Sequence, residues 1–244
     1  FCTTLLLGDN ILKLNKVIIV SAMLLLLLPI AGVIGATAPI TDTVSPTNYG
    51  DNVGVVPGHT IKYVINELTL PEMDNLSFSN LAGNKLYIKV LAVADHEFPG
   101  ETAGDLIYYS IGLIFTKDVT LTIGEGITAF PFVIPSGAAT PGITMTGVPH
   151  FNVTTGYSPS LFFLDDGWSF TNVALASAGL TVTEDLDMLR ATGTGIVLEW
   201  RKSDGILTDL LLDDVDTPFG NFTGITIDLT LDSLELKGVS LTVG

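Results

Sequence analysis

Hydrophobic and polar residues alternate along most of the chain after residue 59. In residues 224–232, aliphatic side chains occupy every second position and Thr or Asp occupies most of the positions between them. This period of two is typical of a strand with one buried and one solvated face. The alternation loses its phase at Ser233, which predicts a turn or a β-bulge at that point.

Residues 195–214 are the clearest predicted hairpin. Ile196, Leu198 and Trp200 alternate with residues 197, 199 and 201, of which Glu199 and Arg201 are charged. Asp204-Gly205 is a dipeptide that favours a tight turn. Earlier strands are predicted over residues 60–68, 85–93, 105–115 and 119–123.

The predicted strand 105–115 is apolar on both faces, with aromatic residues at Tyr108 and Tyr109. A strand of this kind is buried on both sides, so we expect it to lie between two layers or to line a cavity. Tyr108 is therefore a candidate contact for an apolar ligand.

One segment departs from the period of two and predicts a helix over residues 166–178. Asp166 is a suitable N-cap, Gly179 is a suitable C-terminal stop, and the interior is rich in Ala. We expect this helix to lie across a sheet and to bury Trp168 or Phe170. One face follows the helical spacing at Phe170, Val173, Ala174 and Ser177.

These elements predict a mainly β fold, at the margin of α+β. Twisted antiparallel sheets would form a sandwich or a half-open barrel, with one packed helix and an additional N-terminal signal helix. The predicted organisation is a signal peptide with a doubtful upstream extension (1–38), a polar lead-in (39–58) and a β-rich domain (59–244). Prolines and glycines over 128–159 indicate a long loop, or a joint between two lobes.

The amino-terminal region is typical of a secretory leader. Lys13 and Lys16 precede the apolar run 17–34, and small residues follow it. Cleavage near Ala36 or Ala38 is predicted, and a retained membrane anchor is the alternative. We therefore expect a secreted or cell-surface protein.

Composition narrows the classes of function. The chain is 47% hydrophobic with 15% charged residues, which excludes a disordered protein. Its net charge of −16 argues against a nucleic-acid partner. Its one cysteine, Cys2, excludes a disulfide framework.

Several segments resemble exported archaeal proteins called choice-of-anchor S domain proteins. The resemblance covers about residues 50–215 and is carried by residues 57–63, 84–90, 166–183 and 198–207. It implies a β-rich surface ectodomain, usually held by a carboxy-terminal membrane anchor, and it assigns no catalytic residues. Such an anchor would lie beyond Gly244, so membrane attachment stays open.

No motif for catalysis is present, neither a nucleophile elbow nor a phosphate-binding glycine loop, and we predict no enzyme and no cofactor. Acidic loops could bind calcium outside the cell, although none has EF-hand spacing. The metal candidates are Asp213, Asp214 and Asp216. The alternative is a solvated acidic surface. The sequons predict glycosylation at Asn75, Asn152 and Asn221.

Three hypotheses for function remain. The first is a non-catalytic scaffold or adhesion protein at the cell surface, with a surface glycan or another protein as partner. The second is a half-barrel that binds a lipid or another apolar ligand through Tyr108 and Trp168. The third is a calcium-stabilised carbohydrate-binding module.

Overall fold

A computed structural model of the chain describes residues 54–69, 76–96, 104–124, 126, 129–147, 149, 161–164, 168–217 and 220–235. These residues form fourteen strands and one helix, numbered here in chain order. The strands are β1 (Thr60–Thr69), β2 (Leu76–Ser79), β3 (Lys85–His96), β4 (Gly104–Ile114), β5 (Val119–Ile123), β6 (Phe130–Ile134), β7 (Ile143–Gly147), β8 (Thr181–Glu184), β9 (Met188–Gly193), β10 (Ile196–Arg201), β11 (Leu207–Asp213), β12 (Asp216–Thr217), β13 (Gly220–Asn221) and β14 (Thr226–Glu235). The helix is α1 (Trp168–Ser177), between β7 and β8.

Nine of the strands form one antiparallel sheet in the order β7-β4-β3-β1-β14-β11-β10-β9-β8. A second sheet contains β2, β5 and β6, and β12 pairs with β13. The predicted mainly β class with antiparallel sheets and one helix is confirmed. The large sheet is open at β7 and β8, so it does not close into a barrel.

A single large apolar cluster connects the two larger sheets. It takes alternate residues from the inward face of the nine-stranded sheet, among them Tyr63 and Trp200. Val119 and Ile134 of the three-stranded sheet and Leu175 of α1 belong to the same cluster. The two sheets and the helix therefore bury one continuous apolar surface.

The predicted hairpin and the predicted bulge are confirmed. Strands β10 and β11 pair antiparallel, and Ile196, Leu198 and Trp200 are all buried as the alternation requires. In β14 the register against β1 shifts at Asp232, one residue before the predicted position, because Ser233 pairs with Lys62 and Leu231 pairs with Tyr63.

The predicted helix is confirmed, and its C-terminus forms a Schellman motif. The amide of Leu180 donates to the carbonyl of Leu175, and that of Gly179 donates to Ala176. The expected apolar stripe is wrong at Val173, which is exposed, because the helix packs through Leu175 instead. The predicted cap Asp166 and the side chains of Trp168 and Phe170 lie outside the described residues.

The segment interpreted as a loop or a joint over 128–159 contributes strands to both sheets. Strand β6 joins the three-stranded sheet, and β7 pairs with β4 at the edge of the large one. The predicted signal peptide 1–38, and the lead-in up to residue 53, lie outside the described residues.

Candidate functional site

The outward face of the nine-stranded sheet carries a row of polar side chains. Thr230, Asp209, Glu199 and Arg190 follow one another in a row across β14, β11, β10 and β9. Asp209 and Glu199 are directly opposite, where like charges repel. Arg190 compensates, with its Nε 3.5 Å from Oε2 of Glu199.

Two lysines extend this face towards β1 and β3. Lys62 pairs with Glu235, and Lys85 Nζ lies 2.7 Å from Oδ2 of Asp232. The hydrogen bond from Lys85 lowers the pKa of the Asp232 carboxyl. Both acids belong to β14, so the lysines hold the central strands together from the solvent side.

A bulge at Asn66 adds an amide to the same surface. Its Nδ2 donates to Asp228 Oδ1 and to Thr230 Oγ1, both at 2.8 Å. The register of β1 against β14 shifts at this residue, which frees its side chain to reach both partners. The acids of β14 thus bind protein donors along the length of the strand.

At the β8 edge of the sheet, hydrogen bonds from Lys202 connect the β10–β11 hairpin to the β8–β9 turn. Its Nζ donates to Glu184 Oε1 at 2.6 Å and to the carbonyl of Asp185 at 2.9 Å. The hydrogen bond from Lys202, and to a smaller extent that from Asn172, lowers the pKa of the Glu184 carboxyl. Hydrogen bonds from the backbone amides of Met188 and Asp187 lower the pKa of the Asp185 carboxyl. An open groove runs alongside this turn, lined by Leu186, Asp187, Met188, Arg201, Lys202 and Ser203.

The hairpin tip carries a second, partly buried polar group. The Arg201 Nε–H donates a bifurcated hydrogen bond to Oδ1 and Oδ2 of Asp204, at 3.1 and 3.0 Å. His59 accepts a hydrogen bond from the amide of Val56, and burial lowers its pKa although Asp204 opposes this. Gly54 packs directly against this tip, since a Cβ added at Gly54 would collide with the backbone of Asp204.

The calcium candidates are already engaged in turn hydrogen bonds. Asp213 Oδ1 accepts from the Thr226 hydroxyl at 2.8 Å, and Asp214 Oδ1 accepts from the amide of Gly224 at 2.6 Å. Asp216 begins β12. Across the described ranges, no three His, Cys, Asp or Glu side chains are grouped so that they could hold a metal ion.

The two apolar-ligand candidates are not brought together by the described contacts. Tyr108 lies on the face of β4 opposite to Tyr109 and packs against Leu106. On the inward face, the ring of Tyr109 packs edge-on against Phe163 with centroids 5.6 Å apart. The side chain of Trp168 is outside the described residues.

The sequons and the remaining histidines are described only in part. Asn221 lies in the two-residue strand β13, opposite Asp216. Asn75, Asn152 and His150 lie outside the described residues. His96 ends β3.

An apolar surface on the three-stranded sheet was missed by the sequence reasoning. Ile123, Phe130 and Phe132 are exposed by 48%, 67% and 43%. Phe130 pairs with Ile123, and Phe132 pairs with the buried Leu121, so the three share the face that elsewhere enters the core. The alternation of Phe130 and Phe132 was the available signal.

No protein-family model matches this chain, and no curated protein matches its sequence. In the part of the chain that the structure describes, no helix is both long and apolar enough to cross a bilayer.

Proposed function

We propose that this chain is an exported, non-catalytic β-sheet protein that acts at the cell surface as a scaffold or adhesion module. The observation that carries the proposal is the outward face of the nine-stranded sheet. There, Lys62, Lys85 and Arg190 bind carboxylates of the same sheet. These ion pairs stabilise the sheet, and the side chains that form them do not converge on one point where a substrate could react.

The pKa values of three described carboxyl groups argue against a general-acid role for each of them. The pKa values of Glu184, Asp185 and Asp232 are all shifted downward by hydrogen-bond donors. A general acid needs a carboxyl whose pKa is raised towards neutrality. These three carboxylates stay ionised at neutral pH and serve as acceptors for structural hydrogen bonds.

The leader and the family resemblance support the cellular location. The predicted leader carries Lys13 and Lys16 before the apolar run 17–34. A chain of net charge −16 is well solvated outside the cell. We propose the same setting as for choice-of-anchor S domain proteins, with a surface glycan or another protein as partner.

Export is tested by expressing the full chain with a carboxy-terminal epitope tag in a host with a secretory pathway. We expect the tag in the medium or on intact cells, with a new amino terminus near Ala36 or Ala38. The control is Leu26→Arg, which places a charge in the apolar run and should keep the tag inside. Recovery of the unchanged wild-type chain in the cytosol would refute export.

The adhesive role is tested with beads coated with the exported chain. We expect them to bind intact cells, whereas beads coated with the heat-denatured chain should not. A panel of hydrolase substrates tests for catalysis. A reproducible activity that is lost in Asp209→Asn would overturn the non-catalytic assignment, since that acid lies in the polar row.

The apolar-ligand alternative receives less support from the geometry. It rests on Tyr108, which lies on the outward face of β4 with Leu106. The inward face is filled by Tyr109, Phe162 and Phe163. Lipid that copurifies with the chain and is lost in Tyr108→Ala would favour this alternative.

A further inference from the structure

The apolar face of the three-stranded sheet emerges gradually from the core. At one end Val119 pairs with Ile134 and both are buried; at the other, Ile123 pairs with Phe130 and both are about half exposed or more. Because directly paired residues share a face, these side chains form one continuous apolar surface. We call its exposed end, formed by Ile123, Phe130 and Phe132, the β5–β6 apolar face.

Phe130 and Phe132 of this face lie in a segment without charges, and Ile123 lies just before it, two residues from Glu125. Residues 126–164 contain no Asp, Glu, Lys or Arg, although the chain has 26 acidic and 10 basic residues. Two copies of a protein with net charge −16 repel each other over most of their surface. The repulsion is weakest where the charge-free segment meets its own counterpart, so self-association is directed to this face.

Proline distinguishes face packing from strand addition. Strand β6 is an edge strand of five residues that contains Pro131, which has no amide to donate. Short edge strands that carry proline resist pairing with another chain. A second molecule is therefore expected to pack on the side chains, at the spacing of stacked sheets, and not to extend the ladder.

We propose that the β5–β6 apolar face packs against the same face of a second copy of this chain, around a twofold axis. Such an isologous contact places the two copies of Phe130 and Phe132 at its centre. The proposal is independent of whether the chain is exported.

The face is small for a protein–protein interface, which indicates a weak contact. A buried aromatic side chain contributes about 150–250 Å², so the exposed parts of the three side chains total roughly 300 Å² per copy. A standard stable interface buries about 800 Å² per partner. We therefore expect a weak dimer, with a dissociation constant of about 10–100 μM.

The test is sedimentation velocity of the full chain from about 1 to 200 μM, which spans the expected constant. We expect a reversible monomer–dimer equilibrium. Phe130→Asp and Phe130→Lys should each weaken it at least about tenfold. The two variants change the net charge in opposite directions, so equal weakening indicates a lost apolar contact. Raising the salt concentration should strengthen the wild-type dimer, because the repulsion is screened.

Two control variants test whether this face is the one that associates. Val133→Asp adds a charge to the opposite face of β6, at a residue that is 53% exposed, and should leave the equilibrium within about threefold. Leu186→Asp does the same at a distant exposed turn. Circular dichroism checks that every variant is folded.

Three results would overturn the proposal. The first is a wild-type chain that stays monomeric at every concentration. The second is a dimer that Phe130→Asp and Phe130→Lys leave unchanged. The third is a monomer that binds phosphatidylcholine vesicles through Phe130, which would assign the face to a membrane.

Discussion

Lys85 and Asp232 form an ion pair across a strand that lies between them. Lys85 begins β3 and Asp232 is the bulged residue of β14, and β1 separates the two strands. Their charged atoms are 2.7 Å apart although the residues are 147 positions apart in sequence. The bulge turns the carboxylate towards the lysine, so an irregularity in one strand links three strands.

This pair should contribute modestly to stability, and only while Asp232 is ionised. The side chains are 30% and 28% exposed, and a pair of this kind contributes about 0.2–1 kcal/mol. A double-mutant cycle with Lys85→Ala and Asp232→Asn, from urea unfolding, measures the coupling. Because Lys85 lowers the pKa of Asp232, the coupling is present above the usual carboxyl pKa of 3.8 and is lost as the pH falls through the lower folded value.

The same cycle at high salt serves as its control, since screening should reduce the coupling. A coupling that is unchanged both by salt and between neutral pH and pH 2 would contradict the ionic interpretation.

Tyr63 should be one of the most sensitive buried polar positions. Its ring is fully buried, and its hydroxyl donates to the carbonyl of Leu207 at 3.0 Å. Tyr63→Phe leaves that carbonyl without this donor, so we expect a loss of about 1–2 kcal/mol in the free energy of unfolding. Tyr87→Phe is the matched control, because the hydrogen bond from the Tyr87 hydroxyl to the Thr140 carbonyl is only partly buried, and its loss should cost less.

Alkaline titration provides a second measurement on Tyr63. Burial raises its pKa, and Asp204 raises it further. Only the unfolded chain can then release this proton near pH 10, so stability should fall as the pH rises above that value. Absorbance of the phenolate should report fewer tyrosines than the total until the protein unfolds, because Tyr63 stays protonated in the folded state. Full titration of all six tyrosines in the folded state is incompatible with this assignment.

Gly205 should tolerate no side chain. Its φ is +67°, and an added Cβ would collide with the backbone carbonyl oxygen of Leu164. We expect Gly205→Ala to lose about 2–4 kcal/mol, from backbone strain and the collision together. Gly137 is the matched control, since its φ is +86° but an added Cβ meets nothing within 4 Å.

Gly137→Ala should therefore cost about 1 kcal/mol, from the strain alone. Thermal melts of both variants measure the difference. Equal losses would show that the contact between the hairpin tip and Leu164 is looser than the geometry requires.

Local features of this fold could be predicted from the sequence. The β10–β11 hairpin depends on alternation and on Asp204-Gly205, and the end of α1 depends on Gly179; both are interactions among near neighbours. The pairing of β1 with β14 joins Thr60 to Glu235, and alternation alone does not choose a partner so distant in sequence. For the same reason the ion pair of Lys85 with Asp232 could not be anticipated.

Strand β6 was missed for a specific physical reason. Pro131 and Pro135 indicate a loop, but an edge strand tolerates proline because one side of its backbone needs no partner. Because the strand was not predicted, its exposed apolar face was not predicted either. The exposed Val173 shows a different limit, since helical spacing identifies an apolar stripe but not whether that stripe meets the core.

Calcium should not stabilise the loop that contains Asp213, Asp214 and Asp216. Asp214 has a φ of +50°, and its carboxylate accepts the amide of Gly224, so this acid already closes a turn. Asparagine tolerates the same backbone and offers the same acceptor. We therefore expect Asp214→Asn to change the free energy of unfolding by less than about 0.5 kcal/mol, and Asp214→Ala to lose about 1–2 kcal/mol.

The melting temperature then separates a turn from a metal site. With a turn, it should be the same in EGTA and in millimolar CaCl₂, for the wild type and for Asp214→Asn alike. A bound ion stabilises only the folded state, so a calcium site would raise the wild-type melting temperature with concentration. It would also make Asp214→Asn as damaging as Asp214→Ala, because the charge that holds the cation would be lost in both. A calcium-dependent rise in melting temperature that disappears in Asp214→Asn would show that these three acids are calcium ligands.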